Sequence, residues 1–223
     1  MKILDITFDL ETCSLCPTAA VMSIGAVAWD RNGEGSPFIY DEKGSDYNSQ
    51  YNVHIDMRRM IVDAFTIDPD TQNWWSQQSN EAKEAVLDSD ECAPCTDIID
   101  AIRDVFSWIN DLKEENGYDT VNLWCQGSDF DIAILRNICY KYKINIPVKY
   151  TNFRDHRTFF MEGARMICEM DGTEFDPKKA YSLVEDYDGK GAPHDPVFDC
   201  KRSIYSTWQM MQMLRGLLQH NKQ

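Results

Sequence analysis

The chain has 223 residues, 43% hydrophobic and 26% charged, which is ordinary for a soluble globular protein and ample for a core. No apolar run approaches the ~20 residues a membrane span needs, and Met1-Lys2-Ile3-Leu4-Asp5 meets an acid too early for a secretory signal, so a cytoplasmic protein is expected. The net charge of −15 argues against a broad basic surface for gripping nucleic acid, leaving any such contact small and focused.

Along the chain, Lys2 to Glu11 reads as a strand running into a Cys/Pro turn, and Ala20 to Asp30 as a second strand ending at Asp30-Arg31-Asn32-Gly33. Phe38–Tyr40 and Tyr51–Ile55 are candidate strands around a Gly/Ser/Asp loop, an antiparallel start to a sheet. The period then changes to short helices at Asp70–Gln78 and Ser79–Leu87, the second opened by Ser79. Adjacent Trp74 and Trp75 cannot both face one core from one helix, so one is expected buried and the other exposed. Asp97–Glu115 is the clearest amphipathic helix, with Ile98, Ile102, Val105, Phe106, Ile109 and Leu112 on one stripe. Thr120–Cys125 is a buried strand feeding a helix from Ser128 to Tyr142, the α/β signature. Val148–Phe153 reads as an edge strand, Arg154–Glu169 as a helix, Asp171–Ala192 as a mobile loop, and Pro196–Gln219 as a long closing helix. No repeat or low-complexity linker divides the chain, so one domain over residues 1–223 is expected.

Two of the eight cysteines form Cys13-Ser-Leu-Cys16 and two form Cys92-Ala-Pro-Cys95, a conceivable four-cysteine zinc set. Their wide separation and the absence of a glycine pattern favour reduced thiols instead.

The stretch Phe8-Asp9-Leu10-Glu11-Thr12 ends the first strand. Strand side chains alternate, so Asp9 and Glu11 share a face as two like charges, costly unless one is protonated or a cation lies between them. Asp131, in Gly-Ser-Asp-Phe-Asp131, falls in the first turn of the helix after a buried strand, three residues after Ser128 at capping-box spacing. Asp199, in His194-Asp-Pro-Val-Phe-Asp199, falls in the first turn of the last helix, with Asp195 as N-cap and Pro196 at its first position. Taken singly, each acid has a local explanation as a cap or dipole partner. Together, a strand end and two helix starts can deliver four carboxylates to one point, which demands cations; two divalent ions about 4 Å apart serve phosphodiester hydrolysis. Oxygen ligands favour Mg²⁺ or Mn²⁺, and an imidazole beside them can deprotonate water.

These three segments, in this order and spacing, resemble the exonuclease motifs of the DEDDh family. The resemblance implies an α/β, ribonuclease H-like mixed sheet, antiparallel first and parallel afterwards, flanked by helices. It implies 3′-to-5′ hydrolysis of nucleic-acid ends to nucleoside monophosphates, with Asp9, Glu11, Asp131 and Asp199 as metal ligands and His194 as general base. The chain departs from many members in carrying Gln126-Gly127 where they carry His-Asn. The segments NWWSQQSNEAKEAV, Trp124-Cys125 and Arg154-Asp155-His156-Arg157-Thr158 are similar to the exonuclease A (DexA) branch of T-even bacteriophages and its bacterial exoribonuclease relatives. That similarity implies a phage or bacterial origin, and a host cytoplasm if phage-encoded. The candidates for substrate contact are Thr12, Trp74, Trp75, Phe130, Arg154 and Arg157, a tryptophan for base stacking and the arginines for phosphates.

The expected activity is therefore on single-stranded DNA or RNA 3′ ends, DNA slightly favoured, with two Mg²⁺ or Mn²⁺ ions; monomer and homodimer are both open. The competing reading is a catalytically idle acidic binding or inhibitor protein that keeps the fold. All five catalytic positions carry the correct residue types, which favours the enzyme.

Overall fold

The structure, a computed structural model, describes residues 1–41, 43–86 and 95–220. Its first strand, β1 (Ile3–Thr12), lies inside a six-stranded sheet because both its edges are paired, and both its faces are used. Even-numbered Leu4, Ile6, Phe8 and Leu10 pack into the main core, while the odd-numbered side carries Asp5, Thr7, Asp9 and Glu11. β2 (Val21–Trp29), rich in Val, Ile and Ala, pairs antiparallel with β1, and β3 (Gln50–Asp56) antiparallel with β2. The two-residue β4 (Thr96–Asp97) extends this edge in parallel. On the other side β5 (Thr120–Cys125) and β6 (Phe153–Asp155) pair in parallel, giving the order β4-β3-β2-β1-β5-β6.

Helices cover both faces. After two short helices, α1 (Arg58–Val62) and α2 (Pro69–Ser76), comes α3 (Asn80–Val86), capped by the Ser79 hydroxyl at 3.1 Å from the Ala82 amide. α4 (Ile98–Glu115) buries Ile98, Ile102, Val105, Phe106 and Ile109 against the even face of β1, each worth roughly 1.5–3 kcal/mol of burial. α5 (Asp131–Tyr142) joins it through Ile134, Leu135 and Ile138. The opposite face is closed by α6 (His156–Met170) and α7 (Pro196–His220); Cys200, Ile204 and Met211 of α7 pack on Val27 and Trp29. Among the described residues, no helix is long and apolar enough to cross a membrane.

Several expectations are corrected. The Val148–Phe153 strand is instead a 3₁₀ turn, Tyr150–Asn152, before the three-residue β6, because the Asn152 amide turns inward to Thr120 Oγ1 and the Val121 carbonyl. Accordingly α6 begins at His156 rather than Arg154. Phe38–Tyr40 contributes a single bridge, Trp29 to Phe38. α5 begins at Asp131, and Ser128 does not cap it; the Ser128 amide donates to Asp155 at 2.6 Å. The segment Asp171–Ala192 contains a 3₁₀ turn, Ala180–Leu183, and is tied down by Tyr181 stacked on Phe160 and by Gln209 bonding Glu185. The expected helix end at Leu87, and Cys92 of the second cysteine pair, lie outside the described residues.

Candidate active site

The odd face of β1 carries four polar side chains in a row, and the structure treats them unequally. Buried Asp5 receives the Arg31 guanidinium in a bidentate pair, the Asn122 amide at 3.1 Å and Trp124 Nε1 at 2.7 Å. Thr7 lies 2.8 Å from His156 Nε2, whose Nδ1 meets Thr207 at 2.7 Å. Farther along, at the end where β1 meets α5 and α7, the counter-charges stop. Among the described residues, no donor or cation reaches the Asp9 carboxylate; its surroundings are Asp131, Glu11, Asp199 and Asp195. For Glu11, 9% exposed, the one basic group within ion-pair distance among the described residues is His194 Nδ1, at 3.9 Å.

Asp131 arrives from α5, whose first turn folds back on the sheet. Its Oδ1 accepts the Leu10 amide at 3.2 Å, and only 3% of the residue is exposed. Asp199 and His194 arrive from the start of α7. Asp195 caps that helix, accepting the amides of Val197 and Phe198, with Pro196 at its first position. His194, at φ 71, turns its amide onto Asp199 Oδ2 at 3.0 Å, and Asp199 Oδ1 accepts Arg202 Nη1 at 2.8 Å. This helix start can reach the sheet because Gly25 faces Asp9 across the ladder; a Cβ at Gly25 would stand 2.6 Å from the Pro196 carbonyl carbon.

The result is a cluster of acids in which, among the described residues, Asp199 alone has an arginine partner, Arg202. Burial above all, then Asp131, Glu11, Asp199 and Asp195, pushes the Asp9 carboxyl well above the usual range. Burial and the charges of Asp199, Asp131 and Asp195 push Glu11 up to about 8. Burial lifts Asp131 to about 7 against the pull of the Leu10 amide, its own amide and Arg157. Ligand atoms of Glu11, His194 and Asp199 lie within 4.8 Å of one another. The donor set fits hard divalent cations: carboxylate oxygens in excess, partly desolvated, and, among the described residues, no lysine or arginine ion-paired with Asp9, Glu11 or Asp131 as Arg31 is with Asp5. An orphan hydroxyl adds to this. Ser23, opposite Glu11 in register, is fully buried with no partner for Oγ among the described residues.

The substrate-contact candidates divide. Trp75 is buried, and its Nε1 donates to the Thr12 carbonyl at 2.9 Å. Trp74 is 42% exposed, edge-on to the His194 ring at 4.9 Å between centroids. Thr12 is buried and spends its hydroxyl on the Ser14 carbonyl at 2.7 Å. Phe130 precedes Asp131 as the N-cap residue of α5, beside Gly127. The Arg157 guanidinium lies next to Gly127, 3.8 Å from where a Cβ would be, and is felt by Asp131. Arg154 instead bonds the carbonyls of Thr151 and Phe153, and Asp155 caps α6, so neither arginine pairs with Asp155. At the Gln126-Gly127 departure, Gln126 Nε2 donates to Tyr181 Oη at 3.2 Å.

Three residues that organise this end of the sheet escaped the sequence reading. Asp5, Thr7 and His156 bond across 26 to 149 positions of sequence, and no local spacing announces such pairs. The one available signal was the period itself, since Asp5, Thr7, Asp9 and Glu11 alternate along a single strand.

Residues 5–202 match the 3′-5′ exoribonuclease Rv2179c-like domain. An exodeoxyribonuclease of Enterobacteria phage T4 is 25% identical over 228 residues, covering 96% of this chain and 91% of that one. Among solved structures, the nuclease domain of 3′hExo, a DEDDh family member bound to rAMP, superposes with a TM-score of 0.56 at 12% identity, covering 95% of this chain and 93% of that one. Cell-death related nuclease 4 (CRN-4) superposes with a TM-score of 0.60 at 13% identity over 94% of this chain, which spans only 64% of its length. These two likenesses carry the fold, a ribonuclease H-like mixed sheet flanked by helices. The chain belongs to the 3′-5′ exoribonuclease Rv2179c-like domain family and is a 3′-5′ exonuclease.

Proposed function

We propose that the protein hydrolyses single-stranded nucleic acid from its 3′ end to nucleoside monophosphates, with two divalent cations, Mg²⁺ or Mn²⁺, held by Asp9, Glu11, Asp131 and Asp199. The observation that carries this is the contrast on β1: buried Asp5 has its cation, whereas Asp9 and Glu11 face two more acids and have none. Bound cations supply charge neutralisation at the phosphate and stabilise the attacking and leaving oxygens. The chain's own part is to converge four carboxylates from three elements, to keep the pocket partly dry, and to aim a base into it. His194 is that base: Nδ1 faces Glu11, the ring is wedged edge-on against Trp74 and Trp75, and its loop position spares it a structural bond. Arg157, beside Gly127 and Asp131, is placed to receive a phosphate, and Trp74 offers an exposed face for the terminal base.

On substrate, similarity to the T4 exodeoxyribonuclease over nearly the whole chain favours DNA slightly. RNA is the second reading, favoured by the description of the matching family. Matched DNA and RNA oligonucleotides, blocked at either end and incubated with Mg²⁺ or Mn²⁺, decide between them. Cleavage is expected from unblocked 3′ ends and lost in Asp9→Ala; activity retained in that variant would overturn the site. His194→Ala is expected to slow turnover by roughly 10² or more while metal binding stays near normal.

A further inference from the structure

The chain carries a cationic strip that its composition hides. Residues 132–154 contain Arg136, Lys141, Lys143, Lys149 and Arg154 and no aspartate or glutamate, in a protein of net charge −15. Several cations elsewhere are tied to acids, as in Arg31–Asp5, Arg58–Asp56, Arg59–Asp97, Lys201–Asp46 and Arg202–Asp199. Here Arg136, Lys143 and Lys149 are exposed and make no ion pair among the described residues. The nearby acids are otherwise engaged: Asp155 accepts the Ser128 and Thr158 amides, and Asp63 accepts the Tyr142 hydroxyl while its carbonyl takes Lys141.

Aromatic side chains are interleaved with these cations. Tyr140 is 88% and Tyr150 78% exposed, which leaves their rings available at the surface. On α5, Arg136 and Tyr140 stand at i and i+4 on an exposed side of the helix away from buried Ile134 and Ile138, and exposed Lys143 follows as its left-handed C-cap residue, at φ 55. Arg136 rests on the Phe153 ring at 4.9 Å, joining this side to the turn that holds Lys149 and Tyr150. The same helix begins at Asp131, and Arg157 stands beside that start. From Asp131 to Tyr142 the helix rises about 16 Å, room for about five nucleotides at a stacked spacing of about 3.4 Å.

We propose that this strip binds the single strand upstream of its 3′ end, with Arg136, Lys143, Lys149 and Arg157 on phosphates and Tyr140 and Tyr150 stacking on bases. Cations spaced along an exposed surface with tyrosines between them match a polyanion that has free base faces. The acidic remainder of the surface repels the strand everywhere else and so directs it here. The proposal rests on the exonuclease reading for what happens at Asp131, but strand binding is measurable without cleavage.

The test is fluorescence anisotropy of a labelled single strand of about 15 nucleotides, within the range of a stacking groove, without divalent metal and across a salt series. Lys143→Gln combined with Lys149→Gln is expected to lower the slope of log affinity against log salt by about 1.4. Tyr140→Ser and Tyr150→Ser are each expected to weaken binding by about five- to a hundredfold. In activity assays, the ratio of KM for the long strand to KM for a dinucleotide should rise in all of these variants. Unchanged slope and affinity overturn the strip, as does sedimentation showing that the lysine variant loses self-association instead. A wild type that binds the strand as described yet cleaves neither substrate sustains the strip and overturns the catalytic reading.

Discussion

Gly25 lies across the β1–β2 ladder from Asp9, and Pro196, the first residue of α7, rests directly on it. A methyl group there would meet the Pro196 carbonyl carbon at 2.6 Å and the Val197 nitrogen at 2.8 Å, backbone atoms that cannot rotate away. Gly25→Ala is therefore expected to destabilise the protein by about 1–3 kcal/mol and to displace Asp199 and His194 from Asp9 and Glu11. Thermal denaturation and nuclease assay should both register the change. Gly216→Ala, at a helical glycine with open space around it, should instead stabilise by about 0.5–1 kcal/mol and serves as the control. Equal effects of the two substitutions would refute the contact argument.

The acid cluster sets a pH dependence for the metal-free protein. Glu11 and Asp131 have folded-state values raised to about 8 and about 7, and Asp9 is raised as well, so the folded protein binds more protons than the unfolded chain between pH 5 and 8. Their contribution is fully present below the ordinary carboxylate range and is lost as pH rises through 7 and 8. Chelated protein should thus lose on the order of 2 kcal/mol from pH 6.5 to 8.5, read as a falling Tm. Added Mn²⁺ should restore Tm most at the higher pH, since binding requires the deprotonated acids. A Tm that rises with pH in the chelator would contradict the cluster's electrostatics.

The same reasoning gives Asp131→Asn two opposite effects. Removing a buried carboxylate that faces other acids should raise the stability of the chelated protein at pH 8. Nuclease activity should fall by at least about 10² because a metal-site charge is gone. A variant that loses stability in the chelator at pH 8 would show that Asp131 is held by its bond to Leu10 more than it is strained by its neighbours.

How much of this was legible beforehand depended on range. The D-x-E pair on β1 and the acids at two helix starts followed from period and capping rules, and the structure gathers Glu11, His194 and Asp199 within 4.8 Å. α4 was legible because its apolar stripe repeats over five turns. The edge strand at Val148–Phe153 failed because a polar anchor, Asn152, overrode a β-like composition. Ser128 matched a capping spacing, yet its amide found Asp155, a partner 27 residues away. The Asp5–Arg31 and Thr7–His156–Thr207 links depend on which elements meet, and only the packed fold decides that.

His156 illustrates the last point and is itself testable. It is fully buried between the sheet, α6 and α7, with ring neighbours Trp124 at 4.9 Å and Trp29 at 6.1 Å. Burial holds it neutral, its pKa lowered to about 3 against an ordinary 6.5. The unfolded chain takes up that proton first, so this contribution is present above about 6.5 and is lost as pH falls toward 3. In His156→Gln the acid limb of the stability curve should flatten between pH 6 and 4, with a cost at neutral pH of about 1–3 kcal/mol for the unmatched threonine hydroxyls. An unaltered acid limb would mean that His156 does not carry the acid sensitivity.

Trp74 and Trp75 stand next to each other on α2 and should part company when mutated. Trp75 is packed into the core and bonds the Thr12 carbonyl, so Trp75→Phe removes a buried hydrogen bond and leaves that carbonyl unmatched. A loss of about 1–3 kcal/mol is expected, or a fall in Tm of several degrees at roughly 2–4 °C per kcal/mol. Trp74 has no such bond; it presents an exposed ring edge-on to His194. Trp74→Ala should leave Tm nearly unchanged while raising KM about five- to a hundredfold, the range of one lost base stack. If kcat falls instead and KM holds, Trp74 acts by positioning the His194 ring rather than by stacking on the substrate, and the base-stacking assignment is wrong.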